Sequence, residues 1–427
     1  MSQSNGVATK SRIDWDEIES KIGEITTHIS SDGAVGIPRT KSITYDFSYL
    51  KKGESGYGAY RHPAWTILEQ VVSYTEGGDK AILRNEGRSA IDLVVKLLPV
   101  NSHIIVSPDD MYLGTRALLD EHLSFETGLQ VTYVSSPTVE AFERARRPNT
   151  RMLLTECLTN PLLKVTDLSE IVRFAKANNI ISVADNATTP LLVKPLEHGF
   201  DISAQCLTKY FSGDTHFGGA LIFNKDRDDL HATLLKRRNR GGGNMYAGVA
   251  ADIAETSRSL PARLQKHCHN TRLVAEFLKT QPLVERVYYP GLSDDPGHSL
   301  AVKQFADFGG LVSFDLKGGA DAARRLIKGA RESGKNVFQA DSFADSGATF
   351  LNHYYDQSLI LQTMPEAECI QKFGIRPGFI RVAVGLGSAD RIKEGLARGF
   401  EAINSSNRTI VSFAGGSPTP LAAEARR

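Results

Sequence analysis

From about residue 65 the chain alternates between strand-like and helical segments, and this alternation constrains the fold more than any other feature. Trp65–Tyr74 reads as a helix, Ala81–Leu83 as a short apolar strand, Ser89–Leu98 as an amphipathic helix and His103–Ser107 (HIIVS) as a strand. Gln130–Val134, Arg151–Leu154, Ile180–Ala184 and Ala220–Phe223 continue the strands, with Leu168–Asn178 as a helix among them. Strands separated by helices predict an α/β domain with a mostly parallel sheet, because parallel neighbours need a crossover between them. Ligands of such sheets bind just outside the carboxyl ends of the strands. The residues that follow each strand are therefore the first candidates for a site.

Beyond Gly241–Gly243 the texture changes. Met245–Ser259 and Leu264–Thr280 read as helices interrupted at Pro261. Strands at Val287–Tyr289, Gly310–Asp315 and Phe379–Val384 follow, with helices between them. Three regions are expected: a polar amino-terminal arm over 1–55 with a helix at Asp14–Ser30, a large sheet domain over 56–255, and a smaller carboxyl-terminal α+β domain over 256–427. The last stretch, Gly415–Arg427, is rich in Gly, Pro, Ala and Arg and is expected to be poorly ordered.

Composition narrows the function classes. Lys+Arg total 50 against 49 Asp+Glu, a formal net charge of +1, whereas phosphate-backbone binding calls for a basic excess, so no nucleic-acid partner is expected. No run approaches the ~18 apolar residues of a membrane span, and MSQSNGVATKSRIDWDE lacks the apolar core of a secretory signal. Cys157, Cys206, Cys268 and Cys369 stand singly with no CxxC pair, as suits a reducing cytoplasm, so a cytoplasmic location is expected. His267-Cys268-His269 sets its imidazoles two residues apart, which does not place them on one helical face, so no metal site is expected.

Ile181-Ser-Val-Ala-Asp185 ends a strand on an acid, and Cys206-Leu-Thr208-Lys209-Tyr210 supplies a lysine ahead of a glycine-containing loop. A buried acid is costly unless it meets a cation or carries a proton. An acid facing a pyridinium nitrogen and a lysine that forms an imine are what pyridoxal phosphate chemistry needs. Taken alone, the pair reads better as a strand-end aspartate and a surface lysine.

The neighbouring words reverse that preference. Residues 185–219, DNATTPLLVKPLEHGFDISAQCLTKYFSGDTHFGG, resemble the cofactor-lysine region of the Cys/Met-metabolism family of pyridoxal-phosphate enzymes, which includes cystathionine γ-synthase, cystathionine γ-lyase and methionine γ-lyase. Thr155-Glu156-Cys-Leu-Thr159-Asn160-Pro161-Leu-Leu-Lys-Val resembles its ESPTNPLLKV segment, and Asp110-Met-Tyr112-Leu-Gly114-Thr115 its YGGT turn. Val287–Leu292 (VYYPGL) and Arg381-Val-Ala-Val-Gly385 recur in the same order. The resemblance runs over about residues 55–400. It implies a fold-type I pyridoxal-phosphate-dependent transferase, a mostly parallel cofactor domain with a smaller α+β domain, assembled as a dimer of dimers.

The resemblance also implies roles. Lys209 would carry pyridoxal 5′-phosphate as an imine and later shuttle protons, and Asp185 would pair with the ring nitrogen. Tyr112 would stack on the ring, Asn160 would hydrogen-bond the ring hydroxyl, and Arg381 would clamp the substrate carboxylate. Asn85-Glu86-Gly87-Arg88-Ser89-Ala90-Ile91 aligns with the family's SSGMAAI, a loop entering a helix whose start can hold a phosphate, with Gly87 permitting close approach. Arg88 stands where the family has methionine and either adds a charged contact or points to solvent.

Tyr57-Gly-Ala59-Tyr60-Arg61-His-Pro63 aligns with YSRYGNP, whose tyrosine and arginine reach the phosphate from a neighbouring subunit. Tyr57 is kept, but Ala59 replaces the arginine, and either Arg61 or Arg88 takes its place. Cys206 replaces a phosphate-holding serine as a small buried thiol, leaving Thr208 beside it. Asp341-Ser342-Phe343 aligns with ESLG, where the acid helps select the far end of the substrate. Asp341 suits an amino-bearing or cationic substrate, or is a solvated loop aspartate. The run Lys236-Arg-Arg-Asn-Arg240 reads as a solvated basic face.

The expected activity is γ-replacement on an amino acid with a γ-leaving group, such as an activated homoserine or a sulfonium amino acid, through a β,γ-unsaturated intermediate. A second, nucleophilic substrate would complete it. The alternatives are a γ-lyase releasing an α-keto acid and ammonia, and a non-catalytic protein that uses the fold for binding.

Overall fold

The computed structural model describes residues 13–27, 36, 37, 44, 60–135, 137–345, 347–357, 361 and 364–413. Tyr57, Ala59 and Gly415–Arg427 lie outside the described residues, as do positions 28–30 at the end of the expected first helix.

The first sheet contains β1 (Lys80–Arg84), β2 (His103–Val106), β3 (Gln130–Tyr133), β4 (Thr150–Glu156), β5 (Ile181–Asp185), β6 (Ile202–Cys206) and β7 (Gly219–Phe223), in the order β1-β7-β6-β5-β4-β2-β3. The run from β6 through β3 is parallel, and β7 alone opposes its neighbours β1 and β6. Both faces are covered. Leu153, Ala184 and Ile222 join a core with Leu68 and Val71 of the Pro63–Glu76 helix and Ile171 and Phe174 of the Leu168–Ala177 helix. Met152, Leu154, Val183 and Leu221 point the other way, onto Ile91 and Val94 of the Gly87–Val95 helix. This two-sided burial explains the nearly continuous apolar runs in the sequence.

Strand β6 is absent from the sequence-based reading. Its alternating polar residues, Ser203 and Gln205, disguise it, yet both are fully buried because each donates to the carboxylate of Glu76.

The second sheet contains β8 (Val284–Tyr288), β9 (Leu311–Leu316), β10 (Val337–Gln339), β11 (Thr349–His353) and β12 (Phe379–Ala383), ordered β10-β11-β12-β9-β8. The helices Gly319–Glu332 and Ala389–Phe413 cover it through Leu326, Ala330, Leu396 and Phe400.

Two local readings are corrected. Pro261 does not interrupt a helix; it lies in the first turn of Leu260–Lys279, where a missing N–H costs nothing, and a short 3₁₀ turn at Ser257–Ser259 separates that helix from Ala247–Thr256. The polar amino-terminal segment also has a buried side. Its helix spans Trp15–Thr26, capped by Asp14, which accepts from the Glu17 N–H at 2.9 Å. Ile18 and Ile22 enter the main core, and Arg258 donates to the hydroxyl and carbonyl of Thr26, both at 2.9 Å.

Candidate active site

The carboxyl ends of β4, β5 and β6 open onto a cleft, closed on other sides by the start of the Gly87–Val95 helix and by β12. Lys209, Tyr112, Asp185, Asn160, Gly87, Arg88, Thr208, Cys206, Asp341 and Arg381 all line it. Ser342 stands one hydrogen bond behind Lys209, and Arg61 is not part of the lining.

Glu156 ends β4 and Asp185 ends β5, paired in register. Glu156 Oε1 accepts the Tyr112 N–H at 2.8 Å and Oε2 the Asn160 N–H at 3.0 Å, so one buried carboxylate fixes two loops. Asp185 Oδ1 accepts the Ala187 N–H at 3.1 Å. Removal from water raises the pKa of both acids, and the charge of Asp185 raises Glu156 further. Among the described residues no lysine or arginine forms an ion pair with either acid.

Lys209 sits in the turn after β6. Its Nζ donates to Ser342 Oγ at 2.8 Å, and Ser342 Oγ donates to Asp214 Oδ1 at 2.5 Å. The ammonium also lies 5.0 Å from the centroid of the Phe343 ring. The next residue, Tyr210, anchors the turn: it is buried, and its hydroxyl accepts the Gly310 N–H at 3.1 Å.

Tyr112 precedes the short Leu113–Ala117 helix, and its ring lies over Gly114, where a Cβ would come within 2.5 Å of the ring. That is the physical reason for glycine two residues after this tyrosine. Burial raises the Tyr112 pKa, with a further push from Asp341.

At the mouth of the Gly87–Val95 helix, a Cβ on Gly87 would stand 3.0 Å from Cys206 Cβ and 3.1 Å from its Sγ. Arg88 Nη2 lies 3.4 Å from Glu86 Oε2, with both side chains substantially exposed. The Thr208 hydroxyl accepts the Gly218 N–H at 3.1 Å and donates to the Gly218 carbonyl at 3.4 Å, so it is engaged within its own turn. The basic run behind this region is not wholly solvated: Arg238 is buried, donates to the Tyr60 carbonyl at 3.1 Å and packs over Trp65.

Arg381, on β12, is 1% exposed. Its Nη1 donates to Asn160 Oδ1 and its Nη2 to the Ser342 carbonyl, both at 3.0 Å, while Nε has no hydrogen-bond partner among the described residues. Asp341 Oδ1 lies 3.6 Å from Nη2 and accepts from Asn352 Nδ2 at 2.5 Å. Asn352 and Arg381 are register partners across β11 and β12.

Sequence reasoning missed Glu156, Asp214, Asn352 and Phe343 as parts of this arrangement. Glu156 lies inside a recognised word, and Asp214 follows Lys209 by one turn, but nothing local shows which side chains they meet.

A family model described as Cys/Met metabolism PLP-dependent enzyme matches residues 23–401. L-methionine gamma-lyase of Fusobacterium nucleatum subsp. polymorphum is 31% identical over 384 residues, 87% of this chain and 94% of that protein. O-succinylhomoserine sulfhydrylase of Pseudomonas aeruginosa is 32% identical over 349 residues, covering 81% and 84%. The crystal structure of cystathionine gamma synthase from Xanthomonas oryzae pv. oryzae in complex with aminoacrylate and cysteine superposes with a TM-score of 0.83 at 28% identity, covering 91% of this chain and 99% of that one.

Proposed function

We propose γ-replacement as the reaction of this chain, which belongs to the Cys/Met-metabolism family of pyridoxal-phosphate-dependent enzymes. An amino acid with a leaving group on its γ-carbon would exchange that group for a nucleophile. Activated homoserines and sulfonium amino acids are the donor class.

The residues fit the cofactor. Among the described residues no lysine or arginine pairs with Asp185 or Glu156, where a protonated ring nitrogen would supply a cation; Gly87 brings the helix start against Cys206 on the cleft wall, where a phosphate would meet it, and Lys209 Nζ reaches the same cleft. When bound, pyridoxal phosphate supplies an electron sink for charge left on the α-carbon of an amino acid. Asp185 keeps the proton on the ring nitrogen. Tyr112 offers a stacking face, and Arg88 meets the phosphate in place of the arginine missing at 59. Arg381, already oriented by Asn160 and the Ser342 carbonyl, presents its guanidinium to the substrate carboxylate. Lys209 Nζ takes the α-proton and later returns protons to substrate carbon.

Asp341 carries the preference for replacement. Asn352 holds its carboxylate on the cleft wall beside Arg381, an anion placed to receive the amino group of a second substrate or of the donor's far end. The methionine gamma-lyase relative favours a second reading, in which water completes the reaction and an α-keto acid and ammonia leave. Incubation with an O-acylhomoserine, with and without a thiol amino acid or sulfide, separates the two. Replacement predicts a thioether or thiol product and little α-keto acid. Equal keto-acid release in both arms, with no exchanged product, establishes the lyase instead.

The same reading includes a homotetramer. Phe217 at the cleft rim is 74% exposed and Tyr246 is 69% exposed in the single chain, aromatic surface of the kind that subunits cover. Sedimentation velocity tests it, and a monomer at micromolar concentration would exclude it.

A further inference from the structure

We propose that Asp214 is a positioning residue for Lys209, acting through Ser342 as a two-bond proton relay that leads away from the cleft. This rests on the reading of Lys209 as the cofactor lysine.

Ser342 has one hydroxyl hydrogen. A carboxylate only accepts, so the 2.5 Å contact to Asp214 Oδ1 takes that hydrogen and turns a Ser342 lone pair toward Lys209 Nζ, which donates at 2.8 Å. The direct separation between Nζ and Asp214 Oδ1, 3.8 Å, is too long for a hydrogen bond, so the serine is a required link. Asp214 therefore sets the direction of both bonds.

The relay balances without a co-reactant. An Nζ–H bond breaks as an O–H bond forms on Ser342. The original Ser342 O–H breaks as one forms on Asp214 Oδ1. No electrons change hands, and one proton has moved from the amine to the carboxylate. Lys209 lines the cleft, whereas Ser342 and Asp214 do not. The Asp214 side chain is still 17% exposed, so its proton can pass to water. That route matters once a ligand fills the cleft and shuts water away from Nζ.

The backbone keeps the parts in place. Asp214 adopts a left-handed conformation, φ 62°, which aspartate tolerates better than most residues. Its N–H donates to the Thr208 carbonyl at 3.1 Å and the Lys209 carbonyl at 3.3 Å, so the acid and the lysine share one closed turn.

The test uses the cofactor-free protein mixed with pyridoxal phosphate, with capture by Lys209 followed through the visible absorption band. Nζ must shed a proton before it bonds the aldehyde carbon. Asp214→Asn keeps the shape but accepts no proton, and it should slow capture about tenfold. Asp214→Glu should stay within about threefold of the natural rate. Binding of pyridoxamine phosphate, which has no aldehyde, reports whether the site is intact and should change less than about twofold in either variant. Capture by Asp214→Asn at the natural rate overturns the relay, as does a parallel loss of pyridoxamine phosphate binding or a glutamate variant as slow as the asparagine one. If the unaltered protein develops no band, the cofactor role of Lys209 falls and the relay with it.

Discussion

Glu156 and Asp185 face each other across the ends of β4 and β5, two acids in register with no lysine or arginine paired to either among the described residues. Their mutual repulsion is relieved when a cation arrives. Asp185→Asn should therefore leave the cofactor-free protein as stable as before, or more so, in urea unfolding. The same variant should lose about 100-fold in turnover, roughly 3 kcal/mol. A strongly destabilised cofactor-free variant would show that Asp185 is needed for folding and not for its charge.

Glu76 is fully buried and accepts from Asn186 at 2.9 Å and from Ser203 and Gln205 at 2.7 Å each. Burial outweighs these bonds and pushes its pKa from 4.5 up to about 7. Its folded value is raised, so its contribution to stability is complete below about pH 4.5 and is lost as pH rises through about 7. Relative to Glu76→Gln, the natural protein should lose roughly 3 kcal/mol between pH 5 and pH 8. Urea unfolding at the two pH values measures this, and a difference that stays flat would contradict it.

Arg381→Lys keeps the charge but loses the fork that reaches Asn160 and the Ser342 carbonyl together. KM for the amino acid should rise roughly 10- to 100-fold, with cofactor absorption and circular dichroism unchanged. A fall in kcat at constant KM would move Arg381 out of substrate binding.

Glu86 places an acid at a helix start proposed to hold a phosphate, and Arg88 answers it at 3.4 Å. Arg88→Met should weaken pyridoxal phosphate binding about tenfold, more at low salt than at high salt. Glu86→Gln should strengthen it, by a factor of about two or three. Pyridoxal, which lacks the phosphate, should bind all three proteins alike in fluorescence titrations; parallel effects on pyridoxal would remove the phosphate from the explanation.

Much of the first sheet was legible because strands buried on both faces leave apolar runs such as ALIF in β7. β6 was not, since Ser203 and Gln205 look solvent-facing until Glu76 is seen beneath them. β10 is only three residues long, and β11 carries Asn352 and His353 inward, so neither shows a strand's alternation. In the site, Lys209, Asp185 and Asn160 stand out through their surrounding words. The Asp214–Ser342 contact joins positions 128 residues apart, and the Glu76 network spans 110 or more. Only the folded chain brings such partners together.

The bond between Asn160 and Arg381 links the loop after β4 to β12, and so one sheet to the other. A carboxylate that settles on Arg381 therefore lands on the seam between the sheets. With Arg381 in the proposed role, gripping the substrate and resisting their separation would be one event, and the hold on the ligand would double as a mechanical brace across the protein's middle.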